Sequence, residues 1–174
     1  MSLPPNLARW ADCVYAACKV HDVEPVIVFA HLEVESLGGD ALSPPDPSGT
    51  GDHGHGRGLM QIDDRSHQDF ISRQSLDGIP LWQKPLENIL EGTRIIAANL
   101  RRFHGSIIPA IAAYNAGAGA THHALLDVTR PNLGVEVSRE ASLAACNAIT
   151  EHGCYVTKVL AQVSRLNQLV ESVP

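Results

Sequence analysis

The sequence of 174 residues lacks a long apolar segment and any block of basic residues. No apolar run approaches the roughly 20 residues of a bilayer helix, so we expect no membrane span. The first residues also lack the basic and apolar regions of a signal peptide. Thirteen Lys and Arg against nineteen Asp and Glu give a net charge of 13 − 19 = −6. This acidic balance argues against nucleic acid as a partner.

Cysteine is scarce and confined to the two ends of the chain, at Cys13, Cys18, Cys146 and Cys154. No pair has the two-residue spacing of a zinc site or a redox dithiol, so we predict neither. Buried thiols and disulfides that join the two ends both remain open. A disulfide of that kind would imply an oxidising compartment.

The overall composition is that of an ordinary globular protein, with 44% hydrophobic, 5% aromatic and 18% charged residues. A chain of this length buries roughly 70% of the surface that it exposes when unfolded, so it needs no metal or disulfide to complete a core. We therefore predict one domain over residues 1–174. We also expect a monomer that works without a metal or an organic cofactor.

Apolar residues recur at helical spacing over most of the chain. The spacing predicts helices over 5–21, from 25 to about 36, 86–100, 107–114, 135–149 and 155–170. Residues 38–58 hold seven of the fourteen glycines, which predicts a long irregular loop. The short apolar run 59–62 after it suits a strand or a turn. The expected fold class is mainly α, with a small strand or irregular element beside an active-site cleft.

Glu35 is the first candidate for chemistry, because it ends the most hydrophobic predicted helix. Apolar neighbours and the negative end of the helix dipole both raise the pKa of a carboxyl group, which is how a general acid is made. A solvated carboxylate at a fraying helix end is the alternative. Glu33 is rotated about 200° from Glu35 on the helix, so the two cannot share one site.

The glycine-rich stretch 51–58 places Asp52 beside His53 and His55. Adjacent ligands on a loop define no metal geometry without a distant further group. A calcium loop starting at Asp46 fails, because its twelfth position is Arg57 where a glutamate is required. Asp52 could instead be the second carboxylate of a glycosidase, with glycines that let a sugar approach the backbone. An exposed turn is the remaining interpretation.

Three ordered motifs in the chain resemble the lysozyme-like domain shared by lytic transglycosylases and goose-type lysozymes, glycoside hydrolase family 23. They are Glu35-Ser36, Gly58-Leu59-Met60-Gln61 and Ala113-Tyr114-Asn115-Ala116-Gly117. The longer stretches 51–67 and 113–119 look more like the goose-type branch. The resemblance covers about 26–120, together with a final helix that carries Tyr155.

The resemblance implies roles for individual residues in the cleavage of peptidoglycan glycan strands. Glu35 falls at the family's catalytic acid, which protonates the bond between N-acetylmuramic acid and N-acetylglucosamine. Asp52 and Asp63 fall where goose-type lysozymes carry aspartates that activate the attacking water. Positions that line the cleft or face the substrate are matched by Gln61, His67, Tyr114, Asn115 and Tyr155. The enzyme would be secreted, periplasmic or encoded by a phage.

The chain departs from the goose-type pattern in the longer interval before Asp52 and in an extra segment at 121–153. Our main prediction is an inverting muramidase with Glu35 as acid and the two aspartates positioning water. A lytic transglycosylase that leaves 1,6-anhydromuramic acid ends is the first alternative. A cell-wall-binding module without turnover is the second.

Overall fold

The computed structural model describes residues 3–129 and 137–171, with side chains as far as residue 169. The chain divides into two compact units, of which the first is Met1–Arg94 with Gln162–Pro174 and the second is Ile95–Ala161. The part of the chain so described is mainly helical and carries one small three-stranded sheet. The predicted fold class, mainly α with a small strand element, is confirmed.

The first unit begins with three helices, α1 (Pro5–Ala8), α2 (Ala11–His21) and α3 (Pro25–Ser36). The single helix predicted for 5–21 is divided at Arg9 and Trp10, and both of these side chains donate to the Gly38 carbonyl. Helix α3 starts with proline at its first turn, where the missing N–H costs nothing. Its residues 27–32 are all buried, so it forms the centre of the unit.

The sheet consists of β1 (Thr50–Gly51), β2 (Gly56–Arg57) and β3 (Ile62–Asp63) in antiparallel order. Gly56 pairs with Gly51 on one side and with Asp63 on the other. The predicted irregular loop 38–58 therefore contains two of the three strands. Two-residue strands are too short to leave a period in the sequence.

The remaining helices follow the sheet. They are α4 (Gln68–Ile71), α5 (Pro85–Arg102), α6 (Ile107–Ala116), α7 (Ala118–Thr129), α8 (Arg139–Ala148) and α9 (Tyr155–Glu171). The predicted helices at 86–100, 107–114 and 155–170 correspond to α5, α6 and α9. The helix predicted from 135 begins at Arg139, and residues 130–136 lie outside the described part. The extra segment 121–153 holds most of α7 and all of α8.

Each unit has its own buried apolar residues. In the first unit the largest fully buried side chains include Leu7, Val28, Phe29, Leu32, Leu59, Met60, Ile62, Ile89 and Leu166. In the second unit α6, α7 and α8 pack on one another and bury mainly small and branched side chains, at Ile108, Ala110, Ile111, Ala112 and Cys146. All four cysteines have free thiols.

Within the described residues, no helix is both long enough and apolar enough to cross a bilayer.

Candidate active site

The eight predicted site residues are divided between the two units. The first unit carries Glu35, Asp52, Gln61, Asp63 and His67, and the second carries Tyr114, Asn115 and Tyr155. We describe the two groups separately.

Glu35 lies in the last turn of α3 and is half-buried. Leu32, one turn earlier on the same side, is fully buried. The carboxyl group therefore stands where a helix with an apolar body meets its negative dipole end. This is the local setting that the sequence predicts for a general acid, and the role of Glu35 stays a prediction.

Ser36, next to Glu35, joins the end of α3 to the sheet. Its side chain is 1% exposed, and its hydroxyl donates to the Leu59 carbonyl at 2.7 Å while accepting the Gly39 N–H at 3.0 Å. Leu59 belongs to the turn 58–61 that connects β2 and β3. One buried side chain thus fixes the hairpin turn against the helix end that carries Glu35.

Asn88 on α5 holds the same turn from its other side. The Asn88 Nδ2 donates to the Arg57 carbonyl at 2.9 Å, and its Oδ1 accepts the Met60 N–H at 2.8 Å. Asn88 is completely buried, so these bonds replace water for both backbone groups. A side chain at Gly58, where φ is +67°, would collide with the Asn88 amide. Sequence reasoning missed Asn88, because a buried polar residue in an amphipathic helix leaves no local pattern.

Gln61 explains two glycines of the loop. Its backbone is left-handed, with φ of 47°, and its Nε2 donates to the Gly58 carbonyl at 2.8 Å. A Cβ on Gly51 or on Gly56 would collide with Gln61 Oε1. These glycines therefore make room for a side chain of the protein itself, whereas the sequence suggested room for a sugar. The predicted contact of Gln61 with substrate stays a prediction.

Asp52 and Asp63 are brought together by Arg65. The Arg65 Nε lies 2.8 Å from Asp63 Oδ1, and its Nη2 lies 3.4 Å from Asp52 Oδ2. Ser66 Oγ donates to Asp63 Oδ2 at 2.7 Å. Partial burial on its own would raise the pKa of Asp63, but the hydrogen bonds from Ser66 and Arg65 and the charge of Arg65 outweigh it and lower that pKa.

The neighbouring Asp64 forms a second ionic group on the sheet. It accepts from His55 Nδ1 at 3.0 Å and from Arg57 Nη2 at 2.6 Å. The Arg57 guanidinium also lies over the Trp82 ring, at 5.4 Å from its centroid. His55 is therefore engaged with a carboxylate. Across the stretches 3–129 and 137–171, no three His, Cys, Asp or Glu side chains converge as metal ligands.

His67 is half-buried. Its Nδ1 lies 3.9 Å from Glu91 Oε1, and Glu91 is also bound by Arg94 through two hydrogen bonds of 2.9 and 2.7 Å. This environment is ionic, and the predicted contact of His67 with substrate stays a prediction.

Glu33 connects α3 with two other helices through polar contacts. Its Oε2 accepts from Asn6 Nδ2 at 2.7 Å, and its Oε1 lies 3.5 Å from Arg165 Nη2. The helix geometry predicted that Glu33 and Glu35 point in different directions, and Glu33 has partners from α9 and from the N-terminal segment.

In the second unit, Tyr114 and Asn115 occupy the last turn of α6, and Tyr155 is the first residue of α9. Tyr114 and Asn115 are half-buried, whereas Tyr155 is 5% exposed. Asn115 Oδ1 accepts the Glu151 N–H at 2.8 Å. Asn115 thus fixes the segment that leads into α9, and its contact with substrate stays a prediction, like those of the two tyrosines.

The family model described as "Transglycosylase SLT domain" matches residues 12–131, which is more than half of the chain. Seven of the eight predicted site residues fall inside this match, and Tyr155 falls outside it.

Among curated proteins, the chain is similar to the invasion protein IagB of Salmonella typhimurium and of Salmonella typhi. It is 30% identical to each over 114 residues, which is 62% of this chain and 64% of the relative. The alignment therefore spans less than two thirds of those proteins.

Among solved structures, the chain is similar to an inactive mutant of the lytic transglycosylase Slt from Pseudomonas aeruginosa. The TM-score is 0.67 at 20% identity, covering 94% of this chain and 25% of that one. At this identity the likeness shows the fold, and it confirms the predicted lysozyme-like architecture. With the family match over residues 12–131, the chain belongs to the transglycosylase SLT domain family.

Proposed function

We propose that this protein is a lytic transglycosylase that cleaves peptidoglycan between N-acetylmuramic acid and N-acetylglucosamine. The observation that carries this proposal is the family match over residues 12–131, a range that includes Glu35, Gln61 and Tyr114. It favours the transglycosylase over the inverting muramidase that was our main prediction. The sequence motifs resemble both lytic transglycosylases and goose-type lysozymes, whereas the matching family model is described as a transglycosylase domain alone.

In the proposed reaction, Glu35 acts first as acid and then as base. Its proton passes to the glycosidic oxygen as the bond to C1 of the muramyl residue breaks. The resulting carboxylate then takes the proton of the C6 hydroxyl while that oxygen bonds to C1, leaving a 1,6-anhydro end. One carboxyl group serves both steps, so no second carboxylate is required. The half-buried position of Glu35 at the end of an apolar helix is the setting that the sequence predicts for a general acid.

The geometry of Asp52 and Asp63 supports the same choice. An inverting hydrolase needs a carboxylate that is available to take a proton from water. Both aspartates are instead engaged with Arg65, and Asp63 also accepts from Ser66.

We further propose that the chain acts as a monomeric single domain. Light scattering would test the monomer, and a single cooperative unfolding transition would test the single domain.

Mass spectrometry of fragments released from purified peptidoglycan tests the function directly. We expect anhydromuramic ends from the wild type and no fragments from Glu35→Gln. Glu33→Gln is the matched control on the same helix, since a glutamine still accepts from Asn6, and it should keep the activity. Reducing ends from the wild type would refute the transglycosylase in favour of the muramidase. Wall binding without fragments would favour the non-catalytic module.

A further inference from the structure

Arg65 is placed between the two carboxylates that the resemblance links to water activation. Its side chain is 62% exposed and belongs to the segment directly after β3. One guanidinium nitrogen bonds Asp63 at 2.8 Å, and another lies 3.4 Å from Asp52. With Ser66 on the remaining oxygen of Asp63, both oxygens of that carboxylate already accept hydrogen bonds. A water molecule that is to be deprotonated would have to compete with these donors.

The chemistry of the group points the same way. A general base works by accepting a proton, and its efficiency falls as its proton affinity falls. Burial alone would strengthen Asp63 as a base, but Ser66 and Arg65 lower its pKa. Asp52 is more exposed, and the positive charge of Arg65 lies beside it.

The ionic group is also connected to the helix end that carries Glu35. Asp63 is the last residue of β3, directly after the turn 58–61. Ser36, the residue after Glu35, binds that turn through the Leu59 carbonyl. The hydrogen bond of Ser36 therefore connects the hairpin that carries Asp63 with the helix end that carries the proposed acid.

We propose that Arg65 determines the outcome of the reaction by keeping Asp52 and Asp63 from activating water, so that the C6 hydroxyl is the acceptor. This inference rests on the proposed transglycosylase function. In the transfer, C6–O bonds to C1, the bond from C1 to the glycosidic oxygen breaks, and Glu35 donates one proton and regains one. In the competing hydrolysis, the same bond from C1 breaks with a proton from Glu35, the oxygen of water bonds to C1, and the proton of that water goes to an aspartate that no longer pairs with Arg65.

The test compares the ratio of reducing to anhydro ends among fragments from the wild type, Arg65→Gln and Arg94→Gln. Arg94 is the control, because it is also a partly exposed arginine that pairs with a carboxylate, here through two hydrogen bonds to Glu91 on α5. We expect Arg65→Gln to raise the ratio about a hundredfold, the low end of what a positioned base contributes, and Arg94→Gln to leave it unchanged. Adding Asp52→Asn and Asp63→Asn to Arg65→Gln should restore the wild-type ratio.

An unchanged ratio in Arg65→Gln, with fragments still released, would overturn the inference. So would a raised ratio that persists when both aspartates are replaced. Should Arg65→Gln fail to fold, a double variant decides instead, with Asp52→Asn and Asp63→Asn in the wild-type background. We expect this variant to form anhydro ends as the wild type does. A loss of anhydro ends would overturn the inference, because the aspartates would then take part in the transfer. Reducing ends alone from the wild type would refute the proposed function itself, which is a different result from an unresponsive Arg65→Gln.

Discussion

We expect the free energy of unfolding to fall between neutral pH and pH 5, because His31 is buried as a neutral imidazole. It lies on α3 one turn before Glu35, is 1% exposed, and has its Nδ1 2.8 Å from the Ile27 carbonyl. Burial lowers its pKa from 6.5 to about 4, although the Ile27 contact partly opposes the shift. The folded state therefore holds a neutral imidazole at a pH where the unfolded chain is protonated.

The sign and the size follow from proton linkage. Between pH 6.5 and about 4 the unfolded state binds more protons, so stability is fully present above pH 6.5 and falls as the pH falls towards the folded pKa. At pH 5 a pKa of 6.5 unfolded and about 4 folded amounts to about 2 kcal/mol of lost stability. Carboxyl groups with lowered pKa values, such as Asp63 and Glu91, lose their contributions mainly at lower pH.

The assay is urea unfolding followed by far-UV circular dichroism at pH 7.5 and pH 5, for the wild type and for His31→Leu. Leucine has a similar volume and cannot be protonated, and the Ile27 carbonyl keeps its helical hydrogen bond. We expect the wild type to lose about 2 kcal/mol more than the variant between the two pH values. Parallel losses in the two proteins would refute a buried neutral imidazole at position 31.

Four further predictions concern stability and thiol reactivity. Asn88→Ala should lower the free energy of unfolding by about 2–4 kcal/mol, because it removes both hydrogen bonds of a fully buried side chain to the hairpin turn; a smaller change in urea titration would contradict the role of Asn88. Gly56→Ala should displace the Gln61 amide and cost about 1–3 kcal/mol by overpacking, and an unchanged melting temperature would contradict that packing. Leu37→Asn should raise the melting temperature by the equivalent of about 1 kcal/mol, because Leu37 is left-handed with φ of 50°; a lower value would show that the exposed leucine has a contact of its own. Burial raises the pKa of the Cys18 and Cys146 thiols to about 11, so an aromatic disulfide reagent at pH 8 should label both only on unfolding, and fast labelling of the native protein would contradict their burial.

The helices were predictable where one face of the sequence is apolar and a proline stands at the start. Helix α3 combines Pro25 at its first turn with an apolar body, and its bounds match the prediction closely. The break after Ala8 was not predictable, because the residues there satisfy a distant partner. Arg9 and Trp10 both donate to the Gly38 carbonyl, at 2.7 Å each, and nothing in the local pattern of 5–21 reveals that contact.

The candidate site was predictable in its residue types but not in its connections. The motifs name Glu35, Gln61 and the two aspartates as candidates, because short ordered patterns can be recognised in a linear sequence, and their roles stay predictions. Pairing between residues far apart does not. Asn88 lies 28 residues after Met60, and the ion pair of Arg65 with Asp52 spans 13 residues. The contact of Gly51 and Gly56 with Gln61 was not predictable for the same reason, since it forms only once the hairpin is folded.

The end of α3 shows why so many distant contacts meet there. Leu37, Gly38 and Gly39 all have positive φ values, a conformation that costs a leucine roughly 1–2 kcal/mol and that an isolated chain would not hold. It persists because other segments determine it: Ser36 binds the hairpin turn, and the Gly38 carbonyl accepts from Arg9 and Trp10. Strain of this kind is sustained where a side chain must be positioned accurately. In this chain the strained turn begins two residues after Glu35, so the contacts that stabilise the turn also restrict the direction of the proposed acid.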